Sequence, residues 1–209
     1  VRNVTDRIRN PFGMEPPCPR YVPGYGDANA HFHVVGDHPG VHGGAETGVP
    51  FTNDAGYRLQ DALVAAGLLE TAGDEPDVER TFLSYLHMCV PTDGTPDEAS
   101  YTEMERYFDA ELRAIAAHVL VPVGPRATAH VLKNYTARAV DPPLDMDALH
   151  GTELRGSGFL VVPVVDPAEW DDTHHDRLVA GLRELQRTDY RREVDLGRFI
   201  AGDQPYHVR

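Results

Sequence analysis

Lysine is nearly missing from this chain: Lys133 stands alone among 209 residues, and every other permanently charged cation is an arginine. Cysteine is almost as scarce, at Cys18 and Cys89. In a cytosolic chain two such residues are expected as reduced, partly buried thiols, and they imply no disulfide framework. No apolar run approaches the ~18–20 residues of a membrane span, and no charged-then-apolar leader opens the chain. These absences point to a soluble, cytoplasmic protein without a membrane partner. Internal repeats and low-complexity segments are also missing.

What is abundant is acid. Asp and Glu total 33 against 19 Lys and Arg, a net charge of -14, and Asp (20) outnumbers Glu (13). An Asp-rich surface almost without lysine is what a cytoplasm at molar salt favours, because it keeps a protein soluble when screening is severe. A GC-rich genome, in which Arg displaces Lys by codon bias, is the plainer alternative. Neither reading excludes a nucleic-acid partner. At ~1 M salt the Debye length is only ~3 Å, so DNA contact would rest on hydrogen bonds, stacking and shape. The counterion-release contribution would be weak there.

The length suits one domain over 1–209 with a sizeable core. The first 28 residues are rich in Pro and Gly (Pro11, Pro16, Pro17, Pro19, Pro23, Gly24, Gly26) and read as a coil wrapping over that domain. Short apolar strands are expected over Ala30–Val35, Thr81–Met88, His118–Val123 and Phe159–Val165. Between them lie amphipathic helices. Ala55–Ala66 carries Leu59, Ala62 and Leu63 on one face and stops at Gly67. A second helix begins in a Thr95-Pro96-Asp97-Glu98 capping box and continues through Tyr101, Met104, Phe108, Leu112 and Ile115. Pro125–Tyr135 and His174–Gln186 follow, and 188–209 is a mixed, Arg-rich tail. Strands alternating with helices imply a three-layer α/β/α fold around a central parallel four-stranded sheet. Ligands of such sheets sit at the carboxyl ends of the strands, which places Asp37, His38, Cys89, Gly124 and Asp166 along one edge.

Several stretches carry chemistry-bearing residues. The segment Val34–Leu59 reads VVGDHPGVHGGAETGVPFTNDAGYRL. A strand there runs into the turn Gly36-Asp37-His38-Pro39-Gly40, and Gly48-Val49-Pro50-Phe51 follows before the helix. The turn offers backbone amides and polar side chains, and Phe51 a flat face for stacking. The glycine-rich loop lacks the Lys-Ser/Thr end of a phosphate-binding loop. His31, His33, Asp37 and His38 resemble the H-x-H-x-D-H zinc loop of metallo-β-lactamase-type hydrolases. The gap before Asp37 is two residues too long, so the histidine pair is read as one side of a strand, with no metal expected. His174-His175-Asp176 reads as a helix start with a solvated face. Arg187, Arg191, Arg192 and Arg198 are interleaved with acids and read equally as phosphate contacts or a solvated charged surface.

The Val34–Leu59 pattern is similar to the first signature of the uracil-DNA glycosylase superfamily. It is closest to its iron–sulfur branch of the family-four type, whose G-E-A-P-G, spacer, G-x-P-F-x-G-x-A-G-x-x-L form aligns with Gly36, Pro39, Gly40, Gly48, Pro50, Phe51, Ala55, Gly56 and Leu59. The resemblance implies a protein that hydrolyses the N-glycosidic bond of a base flipped out of DNA, here as a divergent paralogue. Phe51 would stack on the base, with Gly36, Pro39 and Gly40 framing the pocket. Asp37 stands where the family has the longer Glu, a carboxylate that stabilises the cationic sugar and orients water. His38, in place of a small residue, would contact that water or fill the pocket mouth. Two positions depart further. Asp166 replaces the histidine that donates to the departing uracil, and loss of such a donor costs ~10²–10³ in rate. Tyr85 replaces the asparagine that reads uracil. Cys18 and Cys89 match the first and third cluster ligands. The second is missing between Cys18 and Gly24, and Met104 stands at the fourth, so no cofactor is expected. The alternative function is a weak or inactive paralogue that binds nucleic acid or a nucleobase without cutting it.

Overall fold

The computed structural model describes residues 8–115, 117–136, 143–192 and 194. In chain order its elements are β1 (Tyr25–Gly26), β2 (Phe32–Gly36), α1 (Pro39–His42), α2 (Asp54–Ala66), β3 (Leu69–Thr71), β4 (Asp77–Val78) and β5 (Thr81–Tyr85). Then come α3 (Glu98–Ile115), β6 (Val119–Pro122), α4 (Gly124–Tyr135), α5 (Met146–Leu149), β7 (Leu154–Arg155), β8 (Leu160–Val161), a 3-10 turn (Pro167–Glu169) and α6 (His174–Arg187).

The main sheet has the order β1-β5-β2-β6-β8-β7. Its four central strands are parallel, with Val34 opposite Leu83 on one side and Val121 on the other. Residues of β2, β5 and β6 are buried throughout, which is why they read as largely apolar runs, with His33, Thr81 and Ser84 the polar members, rather than as alternating ones. Alternate residues nevertheless face opposite layers. Val34 and Val121 pack with Leu59 and Leu63 of α2 and Leu178 and Leu182 of α6. Val35 and Leu120 pack with Phe108 and Leu112 of α3 and Ala127 and Val131 of α4. The expected three-layer α/β/α arrangement results.

Differences from the expected elements are local. The edge strands β1 and β7 are antiparallel additions of two residues each, too short to leave a periodic pattern. The acidic loop after α2 contains a small β3–β4 ribbon. The cap of α3 falls later than Thr95: Asp97 Oδ1 accepts the Ser100 N–H at 2.8 Å. Helix α2 is capped by Asn53, whose side chain accepts from Gly56, and closes at Gly67 in the left-handed region. Among the described residues no helix is long and apolar enough to cross a membrane.

The expectation of two reduced thiols is overturned. Cys18 and Cys89 form a disulfide. The cause is local pairing of the proline-rich segment with the strand exit after β5: Val22 N–H donates to Met88 O at 2.8 Å and Val90 N–H to Arg20 O at 2.9 Å. That register sets the two cysteine Cα atoms 6.1 Å apart, a normal bridging distance.

Candidate active site

The carboxyl ends of the parallel strands bring together residues from five parts of the chain. β2 delivers Asp37 and His38, and α1 adds His42. β5 delivers Tyr85, α3 and α4 present Tyr101 and Arg126, and the segment after β8 presents Asp166.

Asp37 is held sideways by two neighbours. Its Oδ1 accepts the Tyr101 hydroxyl, and its Oδ2 lies 3.9 Å from Arg126 Nε. The Arg126 guanidinium stacks 4.3 Å over the Tyr101 ring and pairs with Glu98 at 2.7 Å. Burial and the adjoining Asp37 carboxylate push the Tyr101 phenol up, so it stays protonated and donates. Cation stacking on a tyrosine face and a charged hydrogen bond both favour this arrangement. The Asp37 side chain is 18 % exposed, enough to reach water or a ligand. The carboxylate that the sequence predicted is therefore a fixed one.

His38 caps α1, its Nδ1 accepting the Gly40 N–H at 3.1 Å. Burial lowers its pKa, with Asp37 opposing, so the ring is neutral and carries its proton on Nε2. His42, which sequence reasoning did not single out, sits behind it. Its Nδ1 accepts the Asp37 N–H at 3.3 Å, and its Nε2 lies 3.7 Å from Asp166 Oδ2. One imidazole thus stands between the Asp37 backbone N–H and the Asp166 carboxylate. Burial raises the Asp166 carboxyl, but His42 and the Ala168 N–H together hold it below its ordinary value. It remains a carboxylate.

Phe51 and Tyr85 are both fully buried. Phe51 has a left-handed backbone, φ 62°, which needs support. Its N–H donates to the Tyr85 hydroxyl at 2.7 Å, and its carbonyl accepts from Gln60 at 2.7 Å. The Tyr85 hydroxyl in turn donates to Gly43 O at 2.9 Å. Gly36 makes room for both rings, since a Cβ there would stand 2.8 Å from each. The Phe51 ring is covered by His42 (centroids 5.4 Å, 34°) and Tyr85 (5.3 Å, 53°). A base reaches it only if one of these moves. Pro39 and Gly40, expected to frame a pocket, lie in α1.

The remaining candidates do not join this group. His33 is buried against Ser84, 2.7 Å from its hydroxyl, and burial lowers its pKa to about 3. His31 contacts Tyr190 at 3.0 Å. Among the described residues no group of three His, Cys, Asp or Glu could hold a metal ion. His174 is buried against Asp171 and Asp147 rather than solvated, whereas His175 is exposed as expected. Arg187 pairs with Glu184, Arg191 contacts His31, and Arg198 lies outside the described residues. An iron–sulfur cluster does not fit: the chain has only two cysteines, they are bonded to each other, and Met104 Sδ stands 3.6 Å from Cys89 Sγ. A cavity of about 860 Å³ opens between α3 and α4 beside Tyr101 and Arg126, with Leu86, Phe108, His130 and Lys133 in its walls.

Tyr101 and Arg126 had no sequence signal of function. Tyr101 shares a helix face with Met104 and Phe108 and reads as core.

Comparison with known proteins matches residues 23–179 to the family model described as uracil DNA glycosylase superfamily. The chain is similar to the type-5 uracil-DNA glycosylase of Thermus thermophilus, 34% identical over 141 residues, covering 59% of this chain and 64% of the relative. The namesake of Pyrobaculum aerophilum is 32% identical over 120 residues (54% and 53%). That of Mycobacterium leprae is 30% identical over 133 residues (60% and 58%). The chain therefore spans between half and two-thirds of the length of these relatives. With the family model covering most of the chain, the protein belongs to the uracil-DNA glycosylase superfamily.

Proposed function

We propose that the protein hydrolyses the N-glycosidic bond of a base flipped out of DNA, with uracil as the first base to test. The observation that carries this reading is the fixed Asp37 carboxylate at the end of β2. Cleavage leaves a sugar with oxocarbenium character, and a preorganised anion beside it stabilises that charge without reorganising. The same carboxylate accepts a proton from the attacking water. The hydroxyl of Tyr101 and the guanidinium of Arg126 hold its oxygens from one side. His38 stands next to it with a neutral ring and supports the water.

The chain is further proposed to be a divergent, salt-adapted, cytoplasmic member derived from a cluster-bearing branch, with Cys18 and Cys89 at two former ligand positions. Its DNA contacts would depend little on counterion release.

The burial of Phe51 and Tyr85 favours a second reading, a paralogue that binds nucleic acid or a nucleobase without cutting. One assay separates them: uracil-containing single- and double-stranded oligonucleotides incubated in molar KCl with wild type and with Asp37→Asn. Abasic product that disappears in the variant supports the glycosylase. Binding without product over long incubation supports the second reading.

A further inference from the structure

The chain's one cysteine pair lies beside the clamp on Asp37. Cys18 is partly exposed, between exposed Pro17 and Pro19, whereas Cys89 is buried. Met88 and Met104 close a small apolar cluster around Cys89, with Met14, Cys18 and Tyr107 packed against it. The hydrogen bonds of the stretch that carries Cys18 stay inside the coil: Met14 N–H donates to Asn10 Oδ1 at 2.8 Å and Cys18 N–H to Pro16 O at 2.8 Å. The sulfur bridge therefore fastens this stretch to the body, with little apolar contact to take its place.

Cys89 reaches Asp37 through one ring. His87 is buried, with Nδ1 3.1 Å from Cys89 O and Nε2 2.7 Å from Ser100 Oγ. A carbonyl only accepts, so Nδ1 carries the proton. Burial lowers the His87 pKa and keeps the ring neutral, and its Nε2 accepts from the Ser100 hydroxyl. The His87 N–H donates to Asp37 O at 3.1 Å, and the ring stands edge-on to Tyr101 with centroids 5.3 Å apart. Ser100 precedes Tyr101 on α3, and the Tyr101 hydroxyl donates to Asp37 Oδ1. The segment bearing Cys89 thus holds both the main chain of Asp37 and the helix turn that clamps its carboxylate.

We propose that Cys18–Cys89 is a reversible thiol–disulfide site, reduced by a low-molecular-weight thiol, whose state sets the Tyr101 clamp on Asp37, with His87 as the positioning residue between them. Its consequence for rate rests on the glycosylase reading. A thiolate attacks Sγ of the partly exposed Cys18, the S–S bond breaks, and its electron pair goes to Cys89 Sγ, which takes a proton. A second thiolate attacks the small-molecule sulfur now bonded to Cys18. That bond's electron pair returns to Cys18 Sγ, which is protonated as well. The protein gains two electrons and two protons, and the two thiols leave as one disulfide. Once reduced, residues 87–90 lose their covalent anchor, and the Ser100–Tyr101 turn shifts from Asp37. A displacement of about 1 Å that starts away from the reacting atoms costs up to ~10²-fold in rate.

The test compares the disulfide-bonded protein with the same protein reduced by dithiothreitol, in molar KCl and below both melting transitions. Single-turnover uracil release should slow by roughly 10–100-fold on reduction, with DNA affinity unchanged, and recover on reoxidation by glutathione disulfide. In Tyr101→Phe the clamp is already gone, so reduction should add little, because perturbations acting through one contact do not add. His87→Phe fills the space without the two side-chain hydrogen bonds and should release slowly in both states. A bridge that only stabilises the fold would leave the wild-type rate unchanged, or slow Tyr101→Phe by the same factor as wild type. Either result overturns the proposal while the glycosylase reading stands, as does a His87→Phe that responds to reductant like wild type. Amide hydrogen exchange reads the clamp without activity: reduction should raise exchange at Ser100 and Tyr101 as well as over residues 87–90. If uracil is released in neither state, the glycosylase reading fails, and unchanged exchange at Ser100 and Tyr101 overturns the redox site too.

Discussion

Glu111→Gln should stabilise this protein, and increasingly so as pH rises from about 4.5 to about 8. Glu111 lies on α3 with no exposed surface. Its Oε1 accepts the Gly24 N–H at 3.3 Å, and its Oε2 has no partner. Burial raises its pKa from 4.5 to about 8, with the Gly24 N–H opposing. The unfolded chain gives up this proton from about pH 4.5 upward, whereas the native state holds it to about pH 8. Across that window the native state binds the extra proton, so stability falls as pH rises. At 1.36 kcal/mol per pH unit the full displacement corresponds to about 5 kcal/mol. Glutamine keeps the acceptor for Gly24 and cannot ionise. The stability of the variant relative to wild type should therefore grow by about 4 kcal/mol between about pH 5 and pH 8.5. His33 acts in the opposite sense: with its pKa lowered to about 3, it loses stability for the native state as pH falls below its unfolded value. Both proteins carry His33, so it cancels in the difference. Urea denaturation in molar KCl at the two pH values, with two-state behaviour checked by two probes, reads the difference directly. A variant-minus-wild-type stability that stays constant with pH would refute a protonated Glu111.

Tyr101→Phe keeps the ring under Arg126 but removes the donor to Asp37. A hydrogen bond to a charged group is worth ~1.5–3 kcal/mol, so single-turnover excision should slow by about 10–100-fold with substrate affinity little changed; an unaltered rate would show that Asp37 needs no such clamp. Replacing Cys18 and Cys89 by serine opens a link between residues 71 apart, which by chain entropy is worth about 4 kcal/mol. Thermal melting should fall by on the order of 10 °C, wild type in reductant should follow it, and a reductant-insensitive melting curve would contradict the disulfide.

Much of the fold was legible because burial leaves a mark on composition. Strands β2, β5 and β6 are covered on both faces, so Phe32–Gly36, Thr81–Tyr85 and Val119–Pro122 are largely apolar and carry no charged residue. Helices α2, α3, α4 and α6 are covered on one face, so Leu59, Leu63, Phe108, Val131, Leu178 and Leu182 recur at helical spacing. The two-residue edge strands β1 and β7 have no pattern to read, because their pairing is decided by where neighbouring strands end. The site divides the same way. Asp37 and Asp166 could be placed on one edge because each follows an apolar strand, and in a parallel sheet all such exits lie together. His42 was passed over inside a glycine-rich loop, and Arg126 inside the first turn of a helix.

By itself the amino-acid sequence determined the layered fold, the edge at which the strand exits gather, and a count of two cysteines where a four-thiolate cluster needs four. These follow from periodicity and composition, which are local properties. Only the tertiary structure decided that Tyr101 and Arg126 clamp Asp37, that Tyr85 and His42 cover Phe51, and that Cys18 reaches Cys89. It also decided that Asp166 faces an imidazole instead of open solvent. Each of these contacts depends on the path of chain segments that are distant in sequence, and a separation of 64 residues between Asp37 and Tyr101 carries no local trace of their meeting.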